Sequence, residues 1–408
     1  MSKAIQVKSE IGKLRKVLLH RPGRELEQLS PGSLEDLLFD DIPYLKVAQQ
    51  EHDEFASVLK ANDIEVVYLA DLAAEALKTS ENAKVRFVDE LIQQSGDVAF
   101  TYKMELTDYF LGKSEEDIVE EAIVGLTMSQ FGADSGPLSR LVSDDSEFII
   151  HPMPNLYFTR DPFASVGNRV AQSHMRHQIR HRETLFNKYI FKYHPDFADK
   201  VKLYYKNHWP FSIEGGDILN FNEKVVAVGL SLRTTAKAIE IFAKNLFRDE
   251  DSKAEIVLAV EIPKARAYMH LDTVFTQVDH DKFTIYSGIQ KDMQVYVLKK
   301  IADNGEYVAE SHRMSLEQIL EKYLEIDKAH LIQCGGSDPV ASAREQWNDA
   351  ANTLAIAPGV VVCYNRNSIT NARLREEGVT VLEISSSELS RGRGGPRCMS
   401  MPLIRDLL

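Results

Sequence analysis

Cysteine is scarce in this chain and badly spaced for any framework. Its 408 residues include three, Cys334, Cys363 and Cys398. An odd set without a C-x-x-C pair excludes a disulfide scaffold and a thiolate zinc site. Long apolar runs are missing as well. No stretch approaches the roughly 20 apolar residues that span a bilayer, and the opening Met1-Ser2-Lys3-Ala4-Ile5 lacks the apolar core of a secretory leader. Nor is there an excess of positive charge: 48 Lys and Arg stand against 61 Asp and Glu, a net charge of −13. That balance disfavours nucleic acid and anionic membranes as partners and suits a cationic small molecule. The expectation is a reduced, cytoplasmic protein without a membrane partner.

What is present is material for a full core. Apolar residues make up 44% and charged residues 27% of the chain, ordinary for a globular protein. Leu14–Leu19 reads as a strand, 44–59 as an amphipathic helix through Val47, Phe55, Val58 and Leu59, and Ile64–Leu69 as a strand. From 71 to 146 the pattern turns helical, with Val85, Val88 and Ile92 on one face and Ile118, Ala122 and Leu126 on another. This predicts a helical insertion at 71–146 in an α/β domain formed by 1–70 and 147–408. After Phe148 strand and helix signals alternate: strand 224–229, helix 234–246, strand 255–262. Comparable units begin near Leu14, Phe148, Ser212, His270 and Gly359. Five such units suit a pseudo-symmetric assembly, though the pattern alone fits a plain α/β sandwich equally.

Four segments carry candidate chemistry. Cys398 follows Arg391-Gly392-Arg393-Gly394-Gly395-Pro396-Arg397, where glycines permit close approach or gating and arginines would favour the nucleophilic thiolate. Asp161 precedes a proline, which also fits an Asx turn. Glu214 and Asp217 flank a glycine pair, which also fits a hairpin turn. His270 and Asp272, read as strand residues, would share one side. A thiol, an imidazole and several carboxylates suggest nucleophilic catalysis. Asp161, Asp272 and Glu214 would repel an oxyanion but clamp a guanidinium through paired hydrogen bonds. That cation would in turn stabilise the thiolate.

His174, His177 and His181 fall at helical spacing, i, i+3 and i+7. Arg176, Arg180 and Arg182 between them oppose a dication, so the expectation is a basic helix face and no metal site. An α-carboxylate would need a cationic partner, for which Arg180 and Arg233, the latter just before a helix start, are candidates.

Together these segments resemble the bacterial arginine deiminases over essentially the whole chain. The likeness lies in Leu37-Leu38-Phe39-Asp40-Asp41-Ile42-Pro43-Tyr44, Phe158-Thr159-Arg160-Asp161-Pro162, Glu214-Gly215-Gly216-Asp217, His270-Leu271-Asp272-Thr273-Val274-Phe275 and the Cys398 loop. The resemblance implies a pentein-type α/β propeller of five ββαβ units with an inserted helical subdomain. It implies hydrolysis of L-arginine to citrulline and ammonia without metal or organic cofactor, by a homo-oligomer. Carried over position by position, Cys398 would be the nucleophile and Asp161 and Asp272 would hold the guanidinium. His270, oriented by Glu214, would move protons. Arg180, Arg233 and Arg393 would bind the substrate carboxylate, Asn155 its head group, and Asp217 would position Arg393. Arg397 receives no role beyond possible thiolate stabilisation. An amidinotransferase, a methylarginine hydrolase and a non-catalytic arginine-binding protein are the alternatives.

Overall fold

A computed structural model describes residues 4–132 and 148–408; the end of the expected helical insertion, 133–146, lies outside the described residues. Among the described residues one strand–helix pattern occurs five times. Phe163–Val166 pairs antiparallel with Arg169–Gln172, the helix Glu183–Tyr193 follows, and Leu203–Tyr205 returns parallel to the hairpin's second strand. Ile218–Asn220, Val225–Leu230, the helix Ala236–Arg248 and Ile256–Glu261 repeat that order. So do Phe275–Gln277, Lys282–Ile285, Leu316–Leu324 and His330–Gln333. Leu354–Ala357, Val360–Tyr364, Ser368–Glu376 and Thr380–Ile384 form the fourth unit. The fifth joins the chain's two ends. Met401–Arg405 pairs antiparallel with Leu14–Leu19, the helix Leu45–Ala61 follows, and Glu65–Tyr68 runs parallel.

The local reasons are ordinary ones. Val225-Val226-Ala227-Val228 is buried on both faces, as the middle strand of a unit covered by a helix must be. Its helix presents Ile239, Phe242, Ala243 and Leu246 inward, and Thr235 caps it by accepting from the Ala238 N–H. Two further strands, Gln294–Lys300 and Tyr307–Ser311, extend that sheet antiparallel.

The predicted starts of the units need correction. Phe148–Ile150 pairs with Leu126–Thr127 instead of opening a unit, and the unit expected there starts at Phe163. The unit placed near Gly359 starts at Leu354, and the one placed near Leu14 starts at Met401. Helices do fill most of the stretch from Leu69 to Phe131. Phe87, Val88, Leu91 and Ile92 face its core, while Val85 is exposed, one position off the predicted stripe. This core is continuous with the unit at 163–205 through Phe186, Tyr189 and Ile190. Among the described residues no helix is long and apolar enough to cross a membrane.

The repeat positions the site. Each unit is entered by a turn just ahead of its first strand, and these turns carry Asp161, Asp217, Asp272, Asn352 and Cys398 in chain order. Contacts then join these turns: Asp217 accepts from the Leu271 N–H, and Asp272 and Asn352 accept from Cys398.

Candidate active site

Cys398 lies at the end of a packed loop. It is 3% exposed. The loop glycines serve close approach: a side chain at Gly394 would meet the Phe158 ring at 2.3 Å, and one at Gly395 the Asn352 carbonyl at 2.6 Å. The left-handed backbone falls on Arg393 instead, at φ 64°. Asn352 Oδ1 accepts from the Cys398 N–H at 2.9 Å, and the Cys398 carbonyl accepts from the Arg160 N–H at 3.1 Å. The Cys398 backbone is thereby fixed at both its N–H and its carbonyl.

The Cys398 thiol stands 3.5 Å from Asp272 Oδ2 and donates to it. Burial, then Asp272, Asp161 and Asp349, push the thiol well above its ordinary range, with Arg397 only partly opposing them. The expectation that the loop arginines favour the thiolate is therefore overturned. Arg391 and Arg397 are engaged by carboxylates. Arg391 pairs with Asp41 and Glu388, and Arg397 donates to Glu10 Oε2 at 3.0 Å and to Asp272 Oδ2 at 2.7 Å.

His270 and Asp272 do not share a strand. His270 precedes the 3-10 turn Leu271–Thr273 and Asp272 lies within it. Glu214 similarly precedes the 3-10 turn Gly215–Asp217, which replaces the alternative of a hairpin. Gly216 is needed there because a Cβ would meet His270 Nδ1 at 2.7 Å. His270 Nε2 donates to Glu214 Oε2 at 2.7 Å, and its Nδ1 faces Asp161 Oδ1 at 3.7 Å. Burial would favour the neutral imidazole. Asp161, the Glu214 hydrogen bond and Asp217 outweigh it and raise His270 to about 9. Glu214 is held well below the carboxylate range: burial opposes this, but Arg233 and His270 prevail. The ring is an imidazolium at neutral pH.

Asp161 accepts from Arg180 Nη1 at 2.9 Å through Oδ2. Its Oδ1, like Asp272 Oδ1, is buried without a hydrogen-bond partner. Two orphaned carboxylate oxygens beside a thiol are acceptors suited to guanidinium N–H groups. Leu38, Asn155, Phe158 and Arg393 contribute to the walls of the surrounding cleft. Of the three competing arginines, Arg180 faces this cleft, also donating to both oxygens of Glu183. Arg182 turns away to the His151 carbonyl, and Arg176 is exposed. Arg233 reaches Glu214 at 3.3 Å and leaves Nε unpaired. Asn155 donates to the Leu37 carbonyl at 2.7 Å.

Asp217 does not reach Arg393. Its oxygens accept from Ser231, Thr234 and the Leu271 N–H at 2.6–2.8 Å, tying the 214 and 270 turns together. His174, His177 and His181 do not line a helix; His174 sits in a β-bridge and only Gln178–Arg180 forms a short 3-10 turn. Asp161, Glu214 and His270 converge within 4.8 Å, close enough to hold a cation. The Arg180 and Arg233 guanidinium groups on the same carboxylates oppose a metal ion there.

Sequence reasoning missed the supporting groups. Glu10 gave no local signal, because its partners lie at Asn220 and Arg397. Asn352 sits in an unremarkable turn. Arg397 was visible beside Cys398, but its work on Asp272 is legible only in three dimensions.

The architecture has solved counterparts. An amidinotransferase of the saxitoxin pathway from Microseira wollei aligns over 99% of this chain and 98% of its own at 14% identity, with a TM-score of 0.56. DDAH from Pseudomonas aeruginosa, solved with citrulline, aligns over 95% and 99% at 14% identity, with a TM-score of 0.51. The fold is that of the pentein superfamily. A sequence model of the family described as "Arginine deiminase" matches residues 35–405. Curated proteins named arginine deiminase are 49% identical in Treponema denticola, covering 98% of both chains, and 51% identical in Bacillus cytotoxicus, covering 99% of both. The chain belongs to the arginine deiminase family.

Proposed function

We propose that this protein hydrolyses L-arginine to L-citrulline and ammonia through a covalent intermediate on Cys398. The observation that carries the reading is the pair of orphaned acceptors, Asp161 Oδ1 and Asp272 Oδ1, beside the Cys398 thiol and the His270–Glu214 pair. A guanidinium seated on those oxygens supplies the positive charge that the thiol lacks. The Cys398 proton is released to solvent, and Sγ attacks the central guanidinium carbon as the C=N π pair moves onto nitrogen. His270 gives its proton to one terminal nitrogen, the C–N bond breaks and ammonia departs. An S-alkylthiouronium remains on Cys398. Water, deprotonated by the now neutral His270, adds to the same carbon. The C–S bond breaks, the departing sulfur takes the proton of the new C–OH group as the citrulline carbonyl forms, citrulline leaves, and the thiol is restored.

Arg180, Arg233 and Arg393 bind the substrate carboxylate and Asn155 its head group. Their place in the cleft wall supports this assignment. For Arg180 it requires release from Glu183 or Asp161. Asp217 acts as a brace between turns. The reading also carries a cytoplasmic homo-oligomer working without metal or organic cofactor; three free buried thiols support the reduced setting.

The test is citrulline and ammonia release from L-arginine by purified protein without added metal, beside Cys398→Ala. Equal yields of both products from the wild type alone are expected. Turnover by Cys398→Ala would overturn the mechanism. Preference for methylated arginine, or transfer to an added amine, would replace the reaction by that of another pentein enzyme.

A further inference from the structure

Arg393 is held in a way the reaction does not explain. Its backbone is left-handed at φ 64°, a conformation that a long side chain adopts only where its surroundings impose it. The residue is 6% exposed, yet Nε and Nη1 have no hydrogen-bond partner. The carboxylate of Asp40 stays 3.8 Å away. Asp349 and Asp40 attract the guanidinium electrostatically, and an aromatic face covers it: Cζ lies 3.4 Å from the centroid of the Trp347 ring. Trp347 ends the helix Pro339–Trp347 and is 48% exposed. A large, half-exposed indole there has no core to fill.

Stacking and hydrogen bonding use different parts of a guanidinium. A ring on its face fixes the plane and leaves the in-plane N–H donors free. The turn after Trp347 also reaches Asn352, which accepts from the Cys398 N–H. One segment, 347–352, thus clasps both ends of the loop from Arg393 to Cys398.

We propose that Trp347 is a positioning residue for substrate recognition, orienting the Arg393 guanidinium so that its unspent donors meet the carboxylate of the incoming amino acid. Trp347 itself touches neither the reacting carbon nor Cys398. The inference rests on the assignment of Arg393 to the substrate carboxylate. It adds that the indole, through Arg393, sets discrimination between arginine and guanidines that lack a carboxylate.

Steady-state kinetics on Trp347→Ala, Trp347→Phe and Arg393→Ala test it, with L-arginine and with 4-aminobutylguanidine, which is arginine without its carboxylate. Trp347→Ala should raise KM for L-arginine about five- to thirtyfold, the range of a cation–ring stack, with kcat within about twofold. It should leave kcat/KM for 4-aminobutylguanidine unchanged, and Trp347→Phe should restore most of the lost affinity. A binding readout runs beside this. The chain has two tryptophans, so in Trp209→Phe/Cys398→Ala protein the emission reports Trp347 alone. It should change on adding L-arginine and stay constant on adding 4-aminobutylguanidine.

If Arg393→Ala raises KM for L-arginine and Trp347→Ala does not, Trp347 has no positioning role and the carboxylate assignment stands. If neither raises it, the assignment of Arg393 fails too. Equal losses on both substrates with Trp347→Ala would make the indole merely structural and overturn the proposal.

Discussion

A thiol held in its neutral form beside an imidazolium is safe until a cation arrives. At the scale of single residues this explains why so many carboxylates surround Cys398. Asp161 and Asp272 disfavour the thiolate, and in the proposed reaction the same carboxylates bind a guanidinium whose charge reverses that bias. In the proposed reaction His270 is the acid for the leaving ammonia, so its charge should set the alkaline limit. Its folded-state value lies near 9, above the ordinary 6.5. The proton's contribution to stability is therefore full below about 6.5 and is lost as pH rises through about 9. Two outcomes follow from this sign. In pH–rate profiles kcat/KM should fall as pH passes about 9. Thermal midpoints of wild type and His270→Gln, taken from pH 6 to 10, should also converge toward the alkaline end. A constant difference between those midpoints would show that His270 carries no extra proton in the folded protein.

At the scale of elements, one carboxylate holds the approach to the nucleophile's loop. Glu51, on the helix Leu45–Ala61, is 4% exposed. It accepts from the backbone N–H groups of Ser387, Glu388 and Leu389 at 2.5–3.0 Å and from the Ser387 hydroxyl at 2.7 Å. Glu51→Ala leaves those donors without their acceptor. We expect a loss of about 1–3 kcal/mol in denaturant unfolding and lower kcat/KM as the 391–397 loop loosens. Unchanged activity would show that the loop is anchored elsewhere. Nothing in the sequence marked this contact, because its partners lie more than 330 residues apart. Elements with their own periodicity were legible: 45–61, 225–230 and 236–248 fall within two residues of expectation. The 270–272 turn was read as a strand, and the 214–217 turn was left open to a hairpin. Their geometry is imposed by close packing, such as Gly216 against His270, and not by local propensity. The residue types were still readable, because Cys, His, Asp and Glu in those motifs have few other uses together.

At the scale of the whole molecule, the site is only as secure as the joining of the two chain ends. Four units close on themselves in sequence, but the fifth needs Met401–Arg405 to meet Leu14–Leu19. Cys398 lies three residues ahead of that strand. Met401 and Leu403 are fully buried in it. Arg405 donates to the Gly12 carbonyl at 2.7 Å and to the Ala355 carbonyl at 2.8 Å, and Glu10 reaches back to Arg397. Pairings of such sequence separation form late and do not survive the loss of one partner. Removing 401–408 should therefore leave protein that is inactive and exposes Cys398 to thiol reagents, with Leu14–Leu19 amides unprotected in hydrogen exchange. Removing only Leu407 and Leu408, which are exposed at 54% and 58%, should change neither activity nor protection. The contrast matters more than either result. Equal tolerance of both deletions would mean that the first strand holds without its partner and that the nucleophile's turn is fixed by Asn352 and Arg160 alone. Loss with both would place the essential contact in the last two residues, outside the strand pairing.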